Sequence, residues 1–333
     1  MLKTPFYIKE DNSAVQDFYV DIVGKALEKN GFRKYKTISL SEALKLNKNC
    51  TIICISHYTV AKLAIKGFKN LLYWVQGTSP DESYMRNHSK LRWLTISMIE
   101  WFALKKANFV FMVSKGMLNH YNSKYHNDFS NKTYIMPCYN SELDNTLFET
   151  PCKYTKNIFC YVGGLSVWQC FEETVDLYKS VEDIIPNCEL RIFTGEQEKA
   201  NQILKSKGVR KFEVKYVVPN QLASELAPCK YGFIVRGESP VNYVATPTKL
   251  SNYMAAGLIP IVSNTVSFFS EILGKAEYAI VLDGKNDKDR IVEQSRKSIN
   301  DTDVYNEYRL LFDKFYNTQN HIQNISNRIK HLF

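Results

Sequence analysis

The sequence lacks the marks of several common protein classes. None of its eight cysteines stands in a CxxC pair, which removes the thioredoxin-type redox motif and the usual zinc-ribbon spacing. Cys50 and Cys160 lie in or beside apolar runs, as buried reduced thiols do in a reducing cytoplasm. No apolar run approaches the roughly 20 residues of a membrane-spanning helix, and the best candidate, residues 96–113, is broken by Glu100, Lys105, Lys106 and Asn108. The opening MLKTPFYIKED turns acidic too soon for a secretory leader. A cytoplasmic protein is therefore expected, with at most a peripheral contact at the inner membrane face. The histidines show no metal-ligand spacing, and Asp11 and Asp81 stand apart from any acid-x-acid loop, so no metal site is expected. There is no long block of like charge, no RNP-like run, no zinc finger and no basic zipper, so no nucleic-acid partner is expected.

What is present is a globular chain of 333 residues with 45% hydrophobic and 23% charged side chains. That length exceeds one compact core and favours two domains of about 150 residues each. The formal charge of +9 is spread along the chain. It fits a solvated basic surface, a phosphate-rich ligand or an anionic membrane face. Short apolar runs alternate with helical patterns throughout, the signature of βαβ units and parallel sheets. In the first half, strands are expected at 4–8, 51–56, 71–75, 109–113 and 134–136, and a helix capped by Ser13 runs to Asn30. Residues 141–156 are polar and aperiodic and read as a linker. The pattern then restarts, with strands at 157–162, 190–194, 212–217, 231–235, 259–262 and 279–282, and helices that include 168–184 and 247–256. The fold class is α/β, with domains at 1–148 and 157–302 and C-terminal helices at 303–333 that pack back on the first domain. Ligands in doubly wound sheets bind beyond the strands' carboxyl ends, and pockets favour domain interfaces.

The stretch from Arg236 to Gly257, RGESPVNYVATPTKLSNYMAAG, begins where a strand ends. Pro247 suits the first helical turn, and Thr246 or Thr248 can cap it. Lys249 then falls in the first turn, beside free N–H groups and the positive end of the helix dipole. A cation is disfavoured there unless an anion such as phosphate lies between. The run PTKLSNYMAAGLIPIV resembles the donor-binding segment of bacterial glycosyltransferases of the GT-B fold, close to family 4, which read Pro-x-Lys-hydrophobic-x-Glu-Tyr-Met-Ala-x-Gly-x-Pro-Val. The resemblance implies that Lys249 contacts the donor phosphates, with Pro247 and Thr248 beside it. Asn252 stands where the family has a ribose-binding Glu, and an amide makes that hydrogen bond without charge assistance. RGESPVN resembles an Arg-x-acid…Asn pattern of the same enzymes, which places Arg236 at the diphosphate or sugar and Glu238 and Asn242 at sugar hydroxyls.

Two further stretches carry the resemblance. Gly163-Gly164-Leu165-Ser166-Val167-Trp168-Gln169 lies at the first strand-to-helix turn of the second half, where glycines let the backbone approach a pyrophosphate. Many family 4 enzymes have Gly-Arg-Leu and a later Lys here. This chain has Gly164 and Gln169 at those places, so Arg236 and Lys249 must supply most of the charge. In the first half, Tyr-Trp-Val-Gln76-Gly77-Thr-Ser-Pro-Asp-Glu82-Ser resembles an acceptor-side loop of these transferases, with Arg86 beyond it. His57 also ends a strand and joins Arg236, Lys249 and Glu238 as a catalytic candidate.

The resemblance implies two Rossmann-like domains facing a central cleft and a hexosyl-type transferase without a metal or other cofactor. It also implies retention of anomeric configuration. UDP is the expected nucleotide, with GDP or a CMP-sugar left open. The expected acceptor is a glycan or lipid-linked glycan in bacterial capsule or O-antigen synthesis. A GT-B-like nucleotide-sugar epimerase is an alternative, although Glu238 has no evident partner carboxylate. A non-catalytic nucleotide- or sugar-binding protein is another, on account of Asn252.

Overall fold

The computed structural model describes residues 3–10 and 14–332; the helix cap expected at Ser13 lies outside them. The chain forms two compact units. One runs to Pro137 and takes back the chain from Phe315 onward, and the other is Cys138–Lys314.

The first unit holds six parallel strands, β1 (Phe6–Ile8), β2 (Lys36–Ile38), β3 (Thr51–Cys54), β4 (Asn70–Val75), β5 (Phe109–Met112) and β6 (Thr133–Ile135). Their order is β2-β1-β3-β4-β5-β6. β3 and β5 are buried at every residue, as parallel strands must be when helices cover both faces. Trp74 of β4 stacks on Tyr19 of the helix Ala14–Glu28, with ring centroids 4.8 Å apart. The last helix, Thr318–Ile329, packs against that same helix and buries Ile322, Ile325 and Ile329. Asn30 Nδ2 donates to the Ser326 carbonyl at 3.0 Å, and Tyr134 Oη meets His321 Nδ1 at 2.9 Å. The tail helix therefore belongs to the first core.

The second unit repeats the plan with β7 (Ile158–Val162), β8 (Glu189–Phe193), β9 (Phe212–Lys215), β10 (Tyr231–Ile234), β11 (Ile259–Ser263) and β12 (Ile280–Leu282). All pairs are parallel, in the order β12-β11-β10-β7-β8-β9. In each sheet the order reverses beside the first strand, between β1 and β3 and between β7 and β10. Those switch points open a crevice at the carboxyl ends.

Local differences from the sequence reading have physical causes. β2 was not expected, because two of its three residues are exposed and carry no apolar signal. The segment read as a linker, 141–156, lies within the second unit. It contains the helix Asn145–Phe148, and the buried Phe148 ring sits edge-on to Tyr305 at 5.3 Å. Lys153 is buried there too, donating to the carbonyls of Ala227 at 2.6 Å and Cys229 at 2.9 Å. The helix expected from residue 168 begins at Phe171, after a 3-10 turn Val167–Gln169 and a left-handed Cys170 at φ 49°. Neither Thr246 nor Thr248 caps the helix Thr248–Ala255. Pro247 holds the N-cap position without a side-chain bond, and Thr246 Oγ1 instead accepts from the Cys138 N–H at 2.9 Å. Among the described residues no helix is long and apolar enough to cross a membrane.

Candidate functional site

In the second unit, β7 and β10 are neighbours, so the turn after β7 and the loop after β10 emerge side by side. Tyr253 locks the helix Thr248–Ala255 over them. Its hydroxyl accepts from the Val162 N–H at 3.0 Å and donates to the Phe233 carbonyl at 3.3 Å, with its ring against Gly232. This seats Lys249 at the switch point. Its Nζ lies 4.1 Å from the Tyr161 ring centroid and donates to Gln169 Oε1 at 3.0 Å. Gly163, at φ 124°, passes so close that an added β-carbon would sit 3.3 Å from that Nζ. The positive φ calls for glycine there, and the missing side chain leaves Lys249 its room.

Arg236 follows β10 and is 7% exposed, against 9% for Lys249. The Arg236 N–H donates to Ser263 Oγ at 2.9 Å. Burial, and then the charge of Arg236, hold the Lys249 ammonium well below the usual lysine range. Burial lowers the Arg236 guanidinium as well. Among the described residues no carboxylate forms an ion pair with either cation. Two neighbouring buried cations without a counter-ion are destabilising, and an anion bound between them removes that cost.

Two sequence expectations change here. The Gly163-Gly164 turn has fewer free donors than its glycines suggest. The Gly163 N–H donates to the Phe193 carbonyl at 3.0 Å, and the Leu165 N–H donates to Glu196 Oε2 at 2.5 Å. Glu196 was missed, since it lies thirty-one residues away in sequence and only the β7–β8 pairing brings it near. Glu238 is exposed and forms no pair with Arg236. Asn242 is buried and braces the loop, its Nδ2 donating to the Gly237 carbonyl at 2.9 Å while its Oδ1 has no partner. Trp168 is half-buried in the 3-10 turn. Asn252 faces a separate cavity of about 730 Å³ that Asn140, Asn145, Asn220 and Ala256 also line. Lys249 and Asn252 are three residues apart, about 4.5 Å of helix rise.

The first unit carries its own cavity, about 450 Å³, at the carboxyl ends of β1, β3 and β4. Ile8, Glu10, His57, Tyr73, Gln76, Gly77 and Glu82 line it. His57 opens the helix His57–Ile65. It is 6% exposed and its Nε2 has no hydrogen-bond partner. Burial pushes its pKa down to about 4, so the imidazole is neutral at physiological pH. Burial also raises the Glu82 carboxyl above its ordinary value, opposed by Arg86. Arg86 is exposed, 3.9 Å from Glu82. The Glu82 carboxylate occupies the space where a β-carbon on Gly77 would stand. Glu10 was not foreseen; it bonds Thr59 at the cavity's edge.

The loop Gln76–Gly77 is backed by a polar cluster. Tyr121 Oη donates to the Gly77 carbonyl at 2.9 Å and contacts Glu100 Oε1 at 3.0 Å. Glu100 is fully buried, and burial pushes its carboxyl up to about 7. Lys124 and Trp93 Nε1 fix Asp81 at 3.3 and 2.9 Å.

No protein-family model matches the chain, and no curated protein sequence matches it. Solved structures do. Sucrose-phosphate synthase of Thermosynechococcus elongatus aligns with a TM-score of 0.72 at 13% identity, over 100% of this chain and 99% of its own. The Anabaena protein HepE, solved with UDP and glucose, aligns at 0.71 and 10% identity over 99% and 100%. TarM of S. aureus aligns at 0.63 and 10% identity over 86% of this chain, which spans only 58% of TarM. With two doubly wound parallel sheets in succession, the chain has the GT-B fold of these glycosyltransferases.

Proposed function

We propose that the protein is a glycosyltransferase that takes a hexose or related sugar from a nucleoside diphosphate sugar and passes it to a hydroxyl of a glycan or lipid-linked glycan. One observation carries this reading: Lys249 and Arg236 are buried together at a switch point, beside a glycine turn, with no carboxylate among the described residues to neutralise them. A diphosphate matches that position in charge and placement. The Asn252 cavity, one helical turn further on, takes the nucleoside. UDP is the proposed nucleotide, because the TarM and HepE structures hold UDP.

As the bond from the anomeric carbon to the phosphate oxygen breaks, negative charge grows on the diphosphate. The two cations meet it without reorganisation. They supply the positive charge that a divalent metal supplies in other transferases, so no cofactor is proposed. The first unit's cavity holds the acceptor. Neutral His57 accepts a hydrogen bond from its hydroxyl through Nε2, while Gln76 and Glu82 bind neighbouring hydroxyls. The new bond forms on the face that the phosphate leaves, and the departing phosphate oxygen takes the proton. This retains the anomeric configuration. A surface polysaccharide built on a lipid carrier at the inner membrane face is the proposed pathway context.

A melting-temperature screen of the purified protein against UDP, GDP, CMP and dTDP tests the reading. UDP is expected to stabilise it, by about 2.7 kcal/mol at a hundredfold excess over Kd. If no nucleotide shifts the melting point, the transferase reading fails.

A further inference from the structure

The helix Lys90–Lys106 is apolar on two opposite sides. One side is explained by burial, through Ile96, Ala103 and Leu104. The other is not. Leu91, Leu94 and Met98 are 76%, 51% and 57% exposed, and with Trp101 they fall at i, i+3, i+7 and i+10 on one outward stripe. Soluble surfaces scatter such residues singly; a continuous ridge marks something that covers it. Beside the ridge, Trp93, Leu94, Met98, Trp101 and Tyr125 line a shallow groove of about 400 Å³.

The exposed charge along the helix itself is of one sign, while the half-buried Asp81 beside the groove is already held by Trp93 and Lys124. Between residues 83 and 127 the only acidic residue is Glu100, and Glu100 is fully buried. Lys90, Arg92, Lys105 and Lys106 are exposed along the same helix. Lys105 and Lys106 lie over the rings of Trp101 and Phe102, at 5.0 and 5.8 Å, so that basic and aromatic groups share one face.

We infer that this face docks on a bilayer rich in anionic phospholipid, with Leu91, Leu94, Met98 and Trp101 entering the headgroup boundary and the lysines meeting the lipid phosphates. Apolar entry and electrostatic attraction are the two parts of interfacial binding, and this helix offers both. Self-association through the same patch is opposed, because a two-fold interface would set basic surface against basic surface. The inference shares only its membrane location with the transferase reading and stands on this helix alone.

Co-sedimentation of the full chain with phosphatidylcholine vesicles, with and without phosphatidylglycerol, tests it. Binding is expected only with phosphatidylglycerol and should weaken as salt rises. The double variant Leu94→Ser with Met98→Ser should bind about tenfold more weakly, with an unchanged melting point and unchanged nucleotide response. Lys105→Glu with Lys106→Glu, on the solvent side of the fold, should lose binding and flatten the salt dependence. Equal binding to both vesicle types, or variants that bind like the wild type, would overturn the inference. So would a wild type that runs as a dimer and a Leu94/Met98 variant that runs as a monomer, since a second copy would then cover the ridge.

Discussion

Glu196 sits at the Gly163-Gly164 turn with the wrong sign of charge for the proposed diphosphate, and it occupies the Leu165 N–H. It is exposed, so the cost of moving it is small. Glu196→Gln removes a repulsion and a competitor together. Nucleotide affinity should rise a few-fold at low ionic strength, and the gain should shrink as salt screens the charge. Calorimetric titration at two salt concentrations checks this, and an unchanged or weaker affinity would show that Glu196 contacts the ligand instead. His57 makes a different prediction. Its pKa falls from 6.5 to about 4 on folding, so the unfolded chain takes up a proton first as the solution is acidified. Stability is therefore lost as pH drops from 6.5 through about 4, by about 3 kcal/mol at most. His57→Asn should flatten that part of the melting-point profile relative to the wild type. Equal slopes would mean that the imidazole is already open to water.

The turn at Gln76-Gly77 and the helix Ser79–Asn87 that follows it depend on close approach. Gly77 leaves room for the Glu82 carboxylate, and Tyr121 holds the Gly77 carbonyl from behind. Gly77→Ala should push Glu82 out of the cavity. Acceptor KM should rise while the nucleotide-induced melting shift stays unchanged; loss of both would point to general unfolding. The turn at Gln76-Gly77 was legible in the sequence, as was the Lys249 helix, because each follows an apolar run that ends in turn residues. Most strands were legible for the same reason. The helix Ser79–Asn87 was not, since its polar, Pro-containing start reads as loop. What escaped had no local signal. β2 is short and exposed. Asn145–Phe148 hides one buried aromatic in a polar string. Pro240–Val244 is a helix of five residues capped by Ser239, within a stretch to which no element was assigned. Glu196, Glu10 and the lining of the Asn252 cavity become neighbours of the site only through strand pairing and tertiary packing, which periodicity does not encode.

The whole chain repeats one device. Each unit is a parallel sheet whose order reverses beside its first strand, and each carries a candidate binding site at that reversal. The two sites differ in chemistry. The first unit's cavity has carboxylates and a neutral histidine, which suits sugar hydroxyls. The second has two buried cations without a carboxylate partner among the described residues, which suits a diphosphate. A stability cost accepted at Lys249 makes sense only if a ligand recovers it. The most direct test is the melting point of Lys249→Met, with and without the nucleotide that stabilises the wild type. Without ligand the variant should melt at the same temperature as the wild type or higher, since an unpaired buried charge has been replaced by an apolar chain of similar length. With nucleotide the shift should vanish. A variant that loses stability without ligand and keeps its nucleotide shift would contradict the assignment of Lys249 to the phosphates.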